Sequence, residues 1–474
     1  MKSAIFAAAT AALATGVAGQ VVKRQSGSLP VVSTQGNAFY ANGERFYIRG
    51  LAYQPGGAAD AADPLLDMDA LSRDIENFQT LGINVLRIYT VDNSANHDEA
   101  MQMLDEAGIY LALDVNTPDA SLRRDSLDAL HASYNDEYLQ SVFATVDAFA
   151  GYNNLLLFFS GNEVINEPSN TNAAPYIKAV TRDIKRYIAA QSDRTVPVGY
   201  SAADVSENVY PSAVYFACGD DETARSDFFA FNDYSWCDPS SFTQSGWDAK
   251  VDLYSNYSLP IFLSEFGCIK GERQWEEIAS LYSSDMTGVY SGGLVYEYTE
   301  EGSGYGLVTV SSSGDVETNP DFDALVSAYE QTPVPSGDGG ARETANQVPE
   351  CPAETENWEV SPDNMLPEIP QPAVRYINNG AGDGPGLGVN TQNTGTPSDT
   401  DADLSNGSTS TDTSDDPDSA SSGSSSSSSS DSSSSPSSSS NSDSSDSEEG
   451  AASSLNIGMG GLVASLVAVG ALLL

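Results

Sequence analysis

The chain has 474 residues, which allows one large domain or two to three small ones. Its formal net charge of −47 argues against nucleic-acid binding, which requires a basic surface, but is compatible with a neutral substrate. Only two histidines occur, so a Ser-His-Asp triad or a multi-histidine zinc site is poorly supported, and we expect no metal or cofactor. His97 opens a predicted helix and His131 lies in a polar stretch predicted to be a loop; we expect surface or capping roles for both.

The chain begins with the features of a secretory signal peptide, which we place at residues 1–19. Lys2 precedes an Ala-rich apolar run, and small residues lead up to Gly19, after which cleavage is expected. The dibasic pair Lys23-Arg24 follows directly and is either a second processing site or two solvated charges. The mature protein is therefore expected outside the cell.

Eight short apolar segments follow, and helical spacing separates several of them. Together they favour an α/β fold, a parallel (β/α)8 TIM barrel, because continuous apolar runs suit strands that are buried on both faces. An open doubly wound sheet is the alternative, but it normally carries a glycine-rich phosphate loop after its first strand, and none is seen there. The predicted strands are 45–50, 83–89, 110–115, 155–159, 196–200, 228–231, 261–263 and 293–296, and the predicted helices are 71–81, 98–106, 137–149 and 174–190.

Two glutamates stand where predicted strands end, the edge at which such barrels carry their chemistry. Glu163 follows the fourth strand and Glu265 the seventh, and these strands face each other across the barrel mouth. Glycoside cleavage needs such a carboxylate pair; a separation of about 5–5.5 Å gives retention of configuration and a wider one gives inversion. The alternative is that each glutamate is only an exposed loop residue.

Other polar and aromatic residues share these strand ends. The aromatic ones either stack on sugar faces or pack the barrel mouth, and Trp236 is expected to be structural. This set comprises Tyr53, Gln54, Tyr89, Asp114, Asn162, Asn232, Tyr234, Trp236, Tyr296, Glu297 and Tyr298.

The end of the chain predicts a stalk and a lipid attachment signal. Residues 395–449 are almost entirely Ser, Asp, Thr and Gly, too polar to fold, and we predict a disordered stalk with O-glycan sites. A small-residue triplet starting at Gly450, a spacer and the apolar run 462–474 form the pattern of glycosylphosphatidylinositol (GPI) attachment, with residues 451–474 as the propeptide. Ala451 and Ser453 are alternative attachment sites, and a short tail anchor is the alternative interpretation.

The GPI pattern predicts that the protein is held on the outer leaflet of the plasma membrane, with the cell wall as a second location. Two N-glycosylation acceptors accompany it, at Asn256 and, more weakly, at Asn406. Oligomeric state is not readable from these patterns.

Seven motifs stand in the part of the chain between about residues 30 and 351: 52–57 (AYQPGG), 87–92 (RIYTVD), 161–164 (GNEV), 174–178 (APYIK), 232–237 (NDYSWC), 264–268 (SEFGC) and 293–298 (GLVYEY). In their sequences and in their order, these motifs resemble the fungal β-1,3-glucanosyltransferases of glycoside hydrolase family 72.

The resemblance implies a retaining transglycosylase, with Glu163 as acid/base and Glu265 as nucleophile. It implies that cell-wall β-1,3-glucan chains serve as donor and acceptor: one chain is cut internally and its new reducing end is transferred to the non-reducing end of another. A secreted endo-β-1,3-glucanase and a non-catalytic wall protein are the alternatives. By the same match, the sugar subsites are lined by Gln54, Tyr89, Asp114, Asn162, Tyr234 and Tyr296, to which we add Asn232 at the end of the sixth strand.

The four cysteines of a secreted chain are expected to pair, in one of three ways. Cys237 and Cys268 follow neighbouring strands and can approach each other, which leaves Cys218 with Cys351; the resemblance implies the same pairing. We therefore expect a catalytic domain over residues 25–335 and an extended segment over 336–394 that Cys351 ties back.

Two departures from the family pattern are visible. A cysteine pair common in the family corresponds here to Leu71 and Ala100, which indicates loss of one disulfide. No cysteine-rich segment follows Cys351, so the chain resembles the subgroup without the cysteine-rich carbohydrate-binding module.

Overall fold

The computed structural model describes residues 29–57, 61–342 and 347–392. The predictions for the signal peptide (1–19), the stalk (395–449), Asn406 and the attachment signal (450–474) lie outside these residues.

A three-stranded antiparallel sheet precedes the barrel and covers the face where the barrel strands begin. It consists of β1 (Val32–Gln35), β2 (Ala38–Ala41) and β3 (Glu44–Phe46). The buried ring of Phe39 lies 5.9 Å from that of Phe262 inside the barrel, so the sheet contributes to the barrel core.

Eight parallel strands close into a barrel, which confirms the predicted (β/α)8 fold. Each strand pairs with its neighbours along the chain, and the last pairs with the first. The strands are β4 (Ile48–Ala52), β5 (Val85–Ile88), β6 (Tyr110–Asp114), β7 (Leu155–Asn162), β8 (Val198–Ala203), β9 (Phe228–Asp233), β10 (Ile261–Phe266) and β11 (Tyr290–Val295).

The first predicted strand, 45–50, merges two strands of the structure. Its beginning belongs to β3 in the antiparallel sheet, and its end belongs to β4 in the barrel. The apolar pattern runs through Tyr47 without a break, so hydrophobicity alone does not show where the chain changes its pairing partner.

Helices cover the outside of the barrel. The first helix shows how local residues set its ends. The Asp67 carboxylate caps its start by accepting from Ala70 N, and Gly82 ends it in the left-handed conformation. No helix of the described residues is long and apolar enough to span a membrane. The helices are α1 (Met68–Leu81), α2 (Asp98–Glu106), α3 (Leu127–Ser133), α4 (Asp136–Phe149), α5 (Ala174–Gln191), α6 (Val209–Ala217), α7 (Trp247–Tyr254), α8 (Glu276–Leu281), α9 (Pro320–Gln331) and α10 (Val374–Asn379); a hairpin of β12 (Val308–Val310) and β13 (Val316–Thr318) follows the last barrel strand.

His97 is the N-cap residue of α2, but its side chain makes no capping hydrogen bond and does not lie on the surface, so the expected surface role is wrong. Its side chain and that of Asp63 are each only 1% exposed, and His97 Nε2 lies 2.7 Å from Asp63 Oδ2. The pair joins the loop after β4 to the loop after β5. His131 lies in the last turn of α3, not in a loop, and its ring contacts the hydroxyl of Tyr176.

Leu71 and Ala100, which stand where the family commonly has cysteines, are both fully buried. They lie on α1 and α2, which pack against each other. Buried apolar side chains therefore fill both positions; the loss of a disulfide there stays a prediction.

Residues 347–392 wrap around the outside of the barrel, and we call them the C-terminal strap. A disulfide joins Cys351 to Cys218 with a Cα–Cα distance of 5.1 Å, as predicted. The strap is not extended throughout, because it includes α10, which packs on α5. It ends where Gln392 Nε2 donates to Pro118 O at 2.8 Å, in the loop after β6.

Candidate active site

The two glutamates lie at the ends where the barrel strands finish, on strands that are three places apart around the barrel. Glu163 directly follows β7, whereas Glu265 lies inside β10, because that strand is longer than its apolar core suggested. Asn232 of β9 is the register partner of Glu265. Its Nδ2 donates to Glu163 Oε1 at 2.8 Å, so one residue pairs with Glu265 through the backbone register and contacts Glu163 through its side chain.

Glu265 is buried and accepts hydrogen bonds on both carboxylate oxygens. Tyr89 Oη donates to Oε1 at 2.8 Å, and Arg87 Nη1 donates to the same atom at 3.2 Å. Tyr234 Oη donates to Oε2 at 2.8 Å. Each of these donors favours the ionised carboxylate over the protonated acid.

Burial acts against these donors. It raises the pKa of Glu265 to about 7; Arg87 opposes the rise, and the charge of Glu163 adds to it. The hydrogen bonds from Tyr89 and Tyr234 also lower this pKa, so the three donors limit the rise that burial causes. Because the charge of Glu163 raises the pKa of Glu265, the two carboxyl groups are close enough to belong to one site.

Arg87 holds the base of the site together. It is fully buried on β5, and its Nε donates to Asp114 Oδ2 at 3.0 Å while Nη1 also donates to Ser264 O at 3.2 Å. Burial raises the pKa of Asp114, and the Arg87 charge lowers it. The guanidinium thus forms ion pairs with two carboxylates, those of Asp114 and Glu265.

A network of small polar side chains connects the strands beneath the glutamates. Ser201 Oγ donates to Asn162 Oδ1 at 2.7 Å, and Ser264 Oγ donates to Asn232 Oδ1 at 2.9 Å. The two serine hydroxyls are 2.8 Å apart. These contacts fix the amide orientation of Asn232, so that its nitrogen faces Glu163.

Gln54 supports the site through hydrogen bonds to the backbone. Its Oε1 accepts from the backbone nitrogens of Tyr89 and Thr90, both at 3.2 Å, and its Nε2 donates to Ala62 O at 2.9 Å. Gln54 is therefore engaged with protein backbone and holds the segment that carries Tyr89. Its predicted role in a sugar subsite stays a prediction, as does that of Asp114.

Three tyrosines lie together beside Glu265 at the barrel mouth, a region that we call the cleft. The rings of Tyr234 and Tyr296 each lie close to that of Tyr305, at 5.4 and 5.5 Å between centroids. Tyr305 comes from the loop after β11. The faces of such rings suit the apolar faces of sugars. Trp236, in contrast, is buried against Trp247 with centroids 5.0 Å apart, which is the structural role expected for it.

Sequence reasoning did not select Arg87 or Tyr305 as site residues. Arg87 stands inside an apolar strand. A charged residue in such a buried segment needs a partner, and this was the signal that could have identified it. Tyr305 lies in an irregular loop, where no periodic pattern points to it.

A second disulfide lies beside the site. Cys237 and Cys268 are joined with a Cα–Cα distance of 5.0 Å, as predicted. Cys268 follows Glu265 by three residues, and Cys237 follows Tyr234 by three. The bridge therefore links the two segments that carry the nucleophile candidate and one of its hydrogen-bond donors.

A closed (β/α)8 barrel that presents glutamates after strand four and on strand seven has the carboxylate pair that enzymes acting on glycosidic bonds require. Comparison with known proteins narrows this class. Residues 21–333 match the glucanosyltransferase model of glycoside hydrolase family 72, and the chain belongs to this family.

Relatives within the family are similar over most of their length. The chain is 56% identical to 1,3-beta-glucanosyltransferase gel1 of Aspergillus fumigatus over 381 residues, which covers 80% of this chain and 82% of gel1. It is 49% identical to 1,3-beta-glucanosyltransferase GAS5 of Saccharomyces cerevisiae, covering 78% and 76%.

Among solved structures, the chain is similar to a glutamate-to-glutamine mutant of Saccharomyces cerevisiae Gas2p in complex with laminaritetraose and laminaripentaose. The TM-score is 0.66 at 34% identity, and the match covers 72% of this chain and 75% of that one.

Proposed function

We propose that the protein is a retaining β-1,3-glucan transglycosylase that remodels cell-wall glucan. It cleaves a glucan chain internally and transfers the new reducing end to the non-reducing end of a second chain. The observation that carries this proposal is the pair Glu163 and Glu265 at the strand ends of one barrel mouth, with Asn232, the register partner of Glu265, donating to Glu163. Membership in a family of glucanosyltransferases and a relative bound to laminari-oligosaccharides support the substrate class.

In the first step Glu265 acts as the nucleophile. A carboxylate oxygen attacks the anomeric carbon, and the bond from that carbon to the bridging oxygen breaks. Tyr89, Tyr234 and Arg87 keep Glu265 ionised and directed, since all three donate to it. Glu163 supplies a proton to the departing oxygen, so that the leaving chain departs as a neutral alcohol.

In the second step Glu163 acts as the base. It takes the proton from the hydroxyl of an acceptor chain, whose oxygen then displaces Glu265 from the anomeric carbon. Two inversions give net retention. If water enters in place of the sugar hydroxyl, the same intermediate is hydrolysed; the tyrosine-lined cleft favours transfer because aromatic faces hold an acceptor sugar in the position that water would use.

The experiment that tests this proposal follows a laminari-oligosaccharide labelled at its reducing end. Transfer of an unlabelled fragment onto a labelled acceptor gives labelled products longer than the substrate, alongside shorter ones. A plain endo-β-1,3-glucanase gives only shorter labelled products, and a non-catalytic wall protein gives none. The Glu163→Gln variant serves as the control for contaminating activity.

We propose further that the protein is held on the outer face of the plasma membrane by a GPI anchor, with an attachment site at Gly450. The terminal apolar run and its small-residue triplet support this. Deleting residues 462–474 is expected to release the protein into the medium. As a control, deleting thirteen residues of the Ser-rich segment, 421–433, should leave it membrane-bound. Retention of the 462–474 deletion at the membrane would exclude the anchor.

A further inference from the structure

The backbone at Glu163 adopts a conformation that is unusual for a residue with a side chain. Its φ angle is +48°, in the left-handed region that glutamate rarely occupies. Such a conformation persists only where surrounding contacts hold it, and it commonly marks a functional position. It determines where the Glu163 side chain leaves the backbone, and hence where its carboxyl lies.

Three contacts from two segments hold this part of the backbone. Glu163 N donates to Ser201 O of β8 at 2.8 Å, which continues the strand ladder by one residue. Two residues later, Ile165 N donates to the Tyr200 hydroxyl at 2.9 Å. Between these, the Glu163 carbonyl accepts from Arg124 Nη1 at 2.7 Å.

Arg124 differs from the other two because it reaches Glu163 from the opposite side. Ser201 and Tyr200 belong to β8, whereas Arg124 lies in the loop between β6 and α3. The Glu163 peptide is therefore held from both sides, by β8 on one side and by the loop after β6 on the other. The bond from Arg124 is charge-assisted, and such bonds are the stronger ones.

We infer that Arg124 is a positioning residue for the acid/base catalyst: it holds the Glu163 backbone in its left-handed conformation and so directs the carboxyl toward Asn232 and the leaving oxygen. This inference rests on the proposed role of Glu163. Without the guanidinium, the peptide can rotate toward the ordinary region of φ, and the carboxyl then leaves the position in which Asn232 holds it at 2.8 Å. Catalytic groups tolerate displacements of only about 0.5 Å.

The test separates protonation from the rest of catalysis by choice of substrate. With a laminari-oligosaccharide, the leaving oxygen needs a proton from Glu163. With the β-fluoride of a laminari-oligosaccharide and azide, neither step needs Glu163: Glu265 attacks the anomeric carbon and fluoride departs with the bonding electrons, then azide displaces Glu265 to give the β-glycosyl azide. Turnover is measured for both substrates in the full-length protein.

We expect Arg124→Met to lower turnover of the laminari-oligosaccharide by about 10- to 100-fold, the range of a lost charge-assisted hydrogen bond, and to change the fluoride–azide reaction less than about threefold. Arg124→Lys should recover part of the loss, since an ammonium can still donate to the carbonyl. The matched control is Arg123→Met, which removes the neighbouring arginine that pairs with Asp125 and should leave both reactions near wild type.

The reference variants keep the two hypotheses apart. Glu163→Gln should show the same substrate selectivity as Arg124→Met, but more strongly; if it instead lowers both reactions equally, the proposed role of Glu163 fails. If Glu163→Gln behaves as expected while Arg124→Met lowers both reactions equally, or lowers neither, then the inference about Arg124 is overturned and the proposed function stands.

Discussion

Replacing Glu265 by glutamine is expected to lower transglycosylation by at least about 10³-fold in a protein that still folds. The amide has nearly the shape of the carboxylate but no negative charge to attack the anomeric carbon. A glutamine oxygen in the place of Oε1 can still accept from Tyr89 and Arg87, whereas the nitrogen in the place of Oε2 cannot accept from Tyr234, so we expect a modest loss of stability. Turnover of a laminari-oligosaccharide and the melting temperature are the two measurements.

The control is Glu207→Gln, an exposed glutamate in the loop after β8, which should retain wild-type turnover. A 2-deoxy-2-fluoro analogue with a fluoride leaving group should trap the intermediate, and peptide mass spectrometry should find the label on Glu265. A label on Glu163, or near-normal turnover of Glu265→Gln, would reverse or remove the assignment of the nucleophile.

Ending the chain after residue 342 should prevent stable folding of the barrel, although every barrel strand and every candidate catalytic residue is retained. The deletion removes the partner of Cys218, and loss of a native disulfide alone costs about 2–5 kcal/mol. It also uncovers the apolar surface beneath Trp358, which is fully buried, and beneath Tyr376. Thermal unfolding followed by circular dichroism should show a melting temperature lower by more than about 10 °C, or no cooperative transition.

The matched control ends the chain after residue 392, which keeps the whole C-terminal strap and removes only residues 393–474. That variant should unfold at the wild-type temperature. Cys351→Ser should fall between the two, because it loses the disulfide and keeps the apolar contacts. If the chain ending at 342 unfolds like the wild type, the strap contributes nothing to the stability of the barrel.

The fold was largely predictable because buried parallel strands are short continuous apolar runs, and few other segments of this sequence show such runs. The segments 110–115 and 155–159, for example, became β6 and the core of β7. The change of partner between β3 and β4 could not be predicted, since the residues on both sides of Tyr47 are equally apolar. Strand pairing is decided by contacts distant in the chain, which a local pattern does not contain.

The residues of the site also differ in how far the sequence predicted them. Glu163 and Glu265 stand after apolar runs and belong to recognisable motifs, whereas the importance of Arg87 depends on which side chains meet it inside the barrel: Asp114 is 27 residues away and Glu265 is 178. His97 was misjudged for this reason, because its partner Asp63 lies 34 residues earlier in a loop without periodic signal. Predictions failed where a residue's role depends on a distant partner.

The described chain enters and leaves the barrel on opposite faces. Leu29 N donates to Asp105 Oδ1 at 2.9 Å, near the end of α2 and on the face where strands begin. Thr391 N donates to Asp119 O at 2.9 Å, on the face that carries the glutamates. For immobilised enzyme or surface-based binding work, a tag fused directly after residue 392 would therefore turn the cleft toward the support, where long polymers are obstructed. A tag fused ahead of Leu29 would turn the cleft toward the solution and leave it open to them.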